Sequence, residues 1–438
     1  MAGIRKNVVT LKSFLPAPGS LTESSVQGPP VGQKELTAAD RIRLARYQQI
    51  VRRVRQETQA SGPDVMVTVP DREVSIAQSM LAEQNEVEGA LAAGGQEVKF
   101  GTGPTGGDIW GWITSLFDHV DRTQAHPMVR PVDTSVETLA DDAIVAIAAD
   151  WGTGMYGAPE IGESIRKQAV HRKFDLLMHL GDVYYSGTPK EVQERFLDVW
   201  PQEAGKVSRT LNSNHEMYSG GFAYFNLALP ALKQRSSYFA LQNKQWLLIG
   251  LDTAYVDHDM DTKQVAWVNA VIEQAQKDGP RKIVLFSHQQ PFSQLSREQG
   301  PKLQQALQHL LVGKRITAWY FGHEHVCAIY DRHSDWNLFG RCLGNGGIPE
   351  PRDSRVTGAA NELTRPTGVQ DVSWKRVTVT AESPGAIVLD GPNMTMEKKR
   401  DQQKFSPHGF MTIEFKGDKL IEKVFLSDGQ KFYEETLS

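Results

Sequence analysis

From residue 141 onward, short apolar runs alternate with amphipathic stretches. Ala143–Ala149, Phe174–Leu180, Lys282–Ser287 and Ile316–Phe321 are runs of strand length and read as buried strands. Lys206–Leu211 adds a short strand, and Ser236–Leu241 with Gln245–Leu251 reads as a hairpin. Helices are expected over Ala158–Lys173, Thr262–Lys277 and Pro301–Leu311; the second carries Val265, Trp267, Val268, Val271 and Ile272. Thr188-Pro189-Lys190-Glu191 has the cap, proline and acidic residue of a helix start, and that helix should run to about Trp200. Further strands are expected at Val326–Asp331, Asn337–Leu343, Gly385–Leu389, Phe410–Phe415 and Leu420–Leu426, the last two joined by Lys416-Gly417-Asp418-Lys419. Residues 350–383 are polar and read as an insertion loop. The set predicts an α/β domain over 141–438 with two sheets' worth of strands.

The first 140 residues are organised differently. Residues 1–36 are rich in Pro, Gly, Ser and Gln and read as an extended arm, and 37–140 as a mainly helical extension. A helix beginning at Thr37 has an apolar stripe of Leu44, Tyr47, Val51 and Val54 and a basic face of Arg41, Arg43, Arg46, Arg52, Arg53 and Arg55. Residues 1–60 hold ten Lys/Arg against four Asp/Glu, whereas the whole chain is at −4, so the remainder is distinctly acidic. Two readings of helix 37–57 follow: docking on the acidic domain, or contact with a protein or anionic partner. A second helix is expected over Arg72–Ala93, stopped by Gly94-Gly95, and the aromatic cluster around Trp110 and Trp112 reads as packing. No chemistry is recognised before residue 140.

Composition narrows the classes. At 438 residues a sizeable core is available, and the net charge argues against a dedicated nucleic-acid binder. Two cysteines, Cys327 and Cys342, make neither a disulfide framework nor a thiolate zinc site; two buried thiols are expected rather than a bridge. No run reads as a signal peptide or transmembrane segment, so a cytoplasmic location is the expectation, with signal-independent secretion left open.

Five segments place metal-type ligands at or just beyond strand ends: Asp150; Asp182, with Tyr185 three residues on; Asn214-His215-Glu216; His288; and Gly322-His323-Glu324-His325. Each alone has an ordinary explanation as a turn, a cap or a core histidine. Together, at the ends where open α/β sheets carry their chemistry, they form one set of carboxylates, imidazoles, an amide and a phenol. Such oxygen and nitrogen donors suit iron, manganese or zinc. Among them two carboxylates, a tyrosine, an amide oxygen and three imidazoles, seven side chains in all, exceed one ion's needs and suit two ions sharing a carboxylate.

This order of motifs resembles the calcineurin-like metallophosphoesterase superfamily over about residues 141–350, and within it the purple acid phosphatases. The nearer resemblance rests on Gly152 in Asp150-Trp151-Gly152, where most relatives have His, and on Tyr185 in Gly181-Asp182-Val183-Tyr184-Tyr185. It implies a four-layer αββα metallophosphoesterase sandwich with the N-terminal extension attached. It also implies that Asp150, Tyr185 and His325 hold one metal, that Asn214, His288 and His323 hold the other, and that Asp182 bridges. The first would be Fe(III), favoured by the phenolate, and the second Fe(II), Zn(II) or Mn(II). His215 is expected to face substrate as acid or stabiliser, with Glu216 orienting it. Ser213 departs from the usual glycine, and Gln289-Gln290 follow the lone His288 where relatives often add substrate histidines.

The expected function is hydrolysis of a phosphomonoester or phosphodiester by a metal-activated hydroxide. A phosphoprotein phosphatase or a nuclease of the same superfamily is the alternative. A non-catalytic adaptor on the same fold, or an effector whose N-terminal region binds a partner, is a further one.

Overall fold

A computed structural model describes residues 71–80, 124–295, 299–352, 372–396 and 399–438, together with residues 38, 42, 45, 46, 49 and 362–363. The arm 1–36, the apolar stripe Leu44–Val54 and the Trp110 cluster lie outside the described residues.

Two sheets carry the domain. The six-stranded sheet runs in the order Lys431–Leu437, Lys419–Leu426, Gly409–Lys416, Ile144–Ala148, Phe174–His179, Gly205–Thr210. Its last three strands are mutually parallel, and its C-terminal strands are antiparallel. The ten-stranded sheet has a parallel centre, Trp246–Gly250, Lys282–Ser287, Ile316–Phe321 and Phe339–Leu343. Phe239–Gln242 pairs with Trp246–Gly250 as the expected hairpin, and Cys327–Tyr330, Ala386–Asp390, Ser373–Val377 and Glu362–Leu363 complete the far side.

The apolar runs explain the layering. Val145, Ile147, Leu176, Met178 and Met411 of one sheet pack on Leu248, Val284, Phe286, Ala318 and Tyr320 of the other. The outer face of the large sheet is covered by helix Thr262–Lys277 through Val268, Val271 and Ile272, and by Leu303 and Leu310. The outer face of the small sheet is covered by Ile161 and Ile165 of helix Gly157–Gln168 and by Phe196. Because both faces of each central strand are covered, continuous apolar runs are required rather than alternation. The result is the αββα sandwich.

Several elements differ from expectation. The helix beginning at Thr188 has its capping box with Glu191 but widens over Val192–Leu197, where Asp198 N–H reaches back five residues to the Gln193 carbonyl. Pro301–Leu311 is broken at Leu307 into Pro301–Ala306 and Gln308–Val312. The span 350–383 is not only loop, since Ser373–Val377 joins the large sheet with Trp374 and Val377 buried. Strand Lys431–Leu437 and helix Lys399–Lys404 were not expected.

Cys342 lies opposite Ala328 and Cys327 opposite Leu343 on neighbouring antiparallel strands. Alternation therefore turns the two thiols to opposite faces, and both are buried and free.

Candidate metal centre

Asp150, Asp182, Asn214, His288 and His323 follow the carboxyl ends of five parallel strands, three from the small sheet and two from the large one. The Asp150 and Asp182 loops run side by side: Asp150 N–H bonds the Gly181 carbonyl at 3.0 Å and Gly152 N–H the Asp182 carbonyl at 3.2 Å. Asp150, Asp182 and His323 all have left-handed backbone, with φ of 53°, 77° and 69°. Residues other than Gly adopt it at a cost, smaller for Asn and Asp, and such residues gather at functional sites. Asp150 is closely walled: a Cβ at Gly322 or Gly344 would lie 2.5 or 2.9 Å from its Oδ2.

Two groups of candidate metal ligands result, Asp182 with His288 and His323, and Asp150 with Asp182 and His325; within each, the ligand atoms lie within 4.8 Å of one another. Asp182 belongs to both. Hydrogen bonds from neighbouring groups fix the atoms that point inward. His288 Nδ1–H donates to the Leu180 carbonyl at 2.8 Å, which leaves Nε2 without a proton. That Nε2 stands 3.0 Å from Asn214 Oδ1 and 3.2 Å from Asp182 Oδ1. The Asn214 amide is turned by its Nδ2–H bond to the Tyr218 hydroxyl at 2.9 Å. Three lone-pair atoms thus converge with no proton among them, an arrangement that a cation satisfies. Asp150 Oδ1 and Asp182 Oδ1 are buried and have no hydrogen-bond partner among the described residues. On both counts the donor set fits bound metal.

Electrostatics agree. Burial holds His288 neutral, down to about 3, and His215 to about 4. Burial and then the Asp182 charge raise Asp150 well above the carboxylate range. Burial also acts to raise Asp182, but the imidazoles of His288, His215 and His323 outweigh it and its carboxyl lies below the usual range. Without a cation the two adjacent carboxyls cannot both ionise readily.

The tyrosine at the site is Tyr184, a correction to the expectation of Tyr185. The Tyr184 hydroxyl lies 2.5 Å from Asp182 Oδ2 and 2.8 Å from His325 Nε2. The Tyr185 ring instead lies under the Arg195 guanidinium at 5.2 Å, and its carbonyl accepts from His215. The register of Gly-Asp-x-x-Tyr points to the second tyrosine, but the backbone turn brings the first to the carboxylates.

Glu216 also differs from expectation. His215 is oriented by its Nδ1–H bond to the Tyr185 carbonyl at 2.6 Å, not by Glu216. Glu216 accepts from Val183 N–H at 3.1 Å and from the Ser213 hydroxyl, so it braces the Asp182 turn. Ser213 introduces no strain: it is extended, at φ −136°, and caps helix Asn214–Tyr218 by accepting from His215 N–H. Gln289 and Gln290 are buried, Gln289 bonded to Thr253. His179 is a core histidine, bonded to Thr210 at 2.9 Å and stacked on Phe196. His258 stands with its ring centroid 5.2 Å from that of His323; nothing in its spacing along the sequence signals this.

Residues 144–327 match the family model of calcineurin-like phosphoesterases. No curated protein matches the sequence. Among solved structures, a purple acid phosphatase from yellow lupin (Lupinus luteus) seeds is similar at 15% identity and TM-score 0.49, over 70% of this chain and 55% of that one. The chain therefore spans little more than half the length of that relative. A dimetal phosphatase from Danio rerio is similar at 11% identity and TM-score 0.40, over 68% of this chain and 98% of that one. GAP50, the anchor in the inner membrane complex of Plasmodium, is similar at 11% identity and TM-score 0.48, over 68% and 89%. Among the described residues no helix is long and apolar enough to cross a membrane. Over residues 144–327, this chain is thus similar to the calcineurin-like phosphoesterases.

Proposed function

We propose that the protein is a dinuclear-metal phosphoesterase acting on a phosphomonoester or phosphodiester. The observation that carries this reading is that Asp182 belongs to both ligand groups, so that two ions held there would be neighbours. Asp150, Tyr184 and His325 would hold one ion, and Asn214, His288 and His323 the other. A phenolate on the first favours Fe(III), with Fe(II), Zn(II) or Mn(II) on the second. When bound, such a pair supplies Lewis acidity toward phosphoryl oxygens and activates water.

The protein's own residues do the rest. The Tyr185 carbonyl keeps the His215 ring in place through Nδ1–H, leaving Nε2 for substrate. Once protonated, His215 supports the oxygen charge that grows in the transition state and passes its Nε2 proton to the leaving oxygen. Glu216 and Ser213 hold the Asp182 turn, and the buried surroundings of Asp150 and Asp182 strengthen each electrostatic contact.

The test is metal content by mass spectrometry together with a phosphoester panel. Wild-type protein should hold about two ions per chain and hydrolyse at least one ester, and Asp182→Asn should lose both properties. Hydrolysis at wild-type rate by Asp182→Asn would overturn the assignment.

A further inference from the structure

A cavity of about 690 Å³ opens beside Asn214 and His323, and Arg72, Tyr218, Tyr255 and His258 share its wall. Arg72 comes from the N-terminal extension, where the sequence offered no chemistry. It opens the 72–80 helix, whose start is set by Asp71: Oδ1 accepts from the N–H of Glu73 and Val74, both at 3.1 Å.

The helix is clasped to the segments that follow Asn214 and Asp182. Arg72 Nε–H donates to the Tyr218 carbonyl at 3.0 Å, and the Tyr218 hydroxyl is the group that turns Asn214. At the other end Ser79 Oγ lies 2.7 Å from Ser186 Oγ and donates to Glu191 Oε1 at 2.9 Å. Glu191 in turn accepts the Tyr185 N–H at 2.6 Å. Val74 through Ser79 are all buried. The helix is thus an integral wall of the site, and its first residue carries a cation to the cavity.

The cavity lies within the size range of small-molecule sites, and it offers two phenol rings, an imidazole and a guanidinium. Flat π systems stack on such groups, and arginine adds cation–π attraction. Given the phosphoesterase reading on which this rests, we infer that Arg72 is a substrate-binding residue, and that the cavity selects phosphoesters whose leaving group carries a planar aromatic ring. The phosphoryl group sits at the Asn214–His323 side while the ring lies against Arg72, Tyr255 and His258.

Adenosine 5′-monophosphate and ribose 5-phosphate test this, because both release a ribose 5′-alkoxide and only the first carries a planar aromatic ring. With full-length, metal-loaded protein, kcat/KM should favour the nucleotide. Arg72→Gln should lower the nucleotide value about five- to tenfold and the ribose 5-phosphate value by a clearly smaller factor. Tyr255→Leu, on a different loop, should act the same way and guards against a docking defect in the first variant. Adenosine binding by equilibrium dialysis gives a readout independent of turnover and should weaken by a similar factor in both variants. Equal treatment of the two esters by the wild type, or an equal loss on both in Arg72→Gln, overturns the inference. If neither ester is hydrolysed, the phosphoesterase reading loses support, and adenosine binding alone decides the cavity: binding that depends on Arg72 sustains it, and no binding removes it.

Discussion

The Tyr184 hydroxyl donates to Asp182 Oδ2 across 2.5 Å. Burial, and then the Asp182 and Asp150 carboxylates, raise its pKa well above the ordinary phenol value, so without cations it keeps its proton. Binding an ion at Asp150 and His325 would reverse that balance by replacing the proton. Iron-reconstituted, air-oxidised protein should therefore show a visible charge-transfer band that disappears in Tyr184→Phe and persists in Tyr185→Phe. The reverse pattern in an absorption spectrum would return the role to Tyr185.

His215 and Glu216 are adjacent but should separate cleanly. On the proposed mechanism His215→Ala removes a substrate-facing group, so kcat should fall by at least about a hundredfold with two ions retained. Glu216→Ala leaves the Val183 N–H and the Ser213 hydroxyl without their shared acceptor, at a cost of about 1–3 kcal/mol for each buried group. It should lower the urea midpoint and weaken metal retention during dialysis against chelator, a loss that His215→Ala should not share.

Arg341 makes a comparable test of the scaffold. Its guanidinium is fully buried between the sheets, 2.8 Å from Glu422 and 3.0 Å from Glu435, and it donates to the Tyr330 carbonyl at 2.9 Å. Tyr320 gives Glu422 another bond at 2.6 Å. Arg341→Met would strand the buried Glu422 charge and should cost about 3–5 kcal/mol. Arg341→Met with Glu422→Leu should restore much of the loss, as equilibrium denaturation at neutral pH would read out.

Stability should also fall in mild acid. Burial depresses His179 to about 3, whereas an unfolded histidine titrates near its ordinary value of 6.5. Below that value the unfolded chain binds a proton that the folded chain refuses, so unfolding takes up protons and acid favours it. His179 alone should contribute a slope of about 1.4 kcal/mol per pH unit as pH falls from 6.5 toward 3. Chelator-treated His179→Asn should show a shallower dependence of unfolding free energy on pH over that window.

The strands that build the centre were legible because each is buried on both faces and so reads as an uninterrupted apolar run, as Phe174–His179 and Ile316–Phe321 do. The candidate ligand residues were legible as carboxylates and imidazoles placed just past those runs. Side-chain direction was not. Tyr184 and Tyr185 are chemically identical neighbours, and only the path of the Asp182 turn decides which ring meets the carboxylates. Ser373–Val377 was missed because it buries only Trp374 and Val377. Arg72 and His258 reach the cavity by long-range docking, which leaves no local signature.

The left-handed backbone at Asp150, Asp182 and His323 sets two demands against each other. A glycine at any of these positions would relax the turn while removing a candidate ligand. Selection of this protein for heat resistance alone would therefore drift toward losing its chemistry. A variant library sorted first for folding and then for metal retention should show the two properties parting at these three positions before anywhere else in the chain.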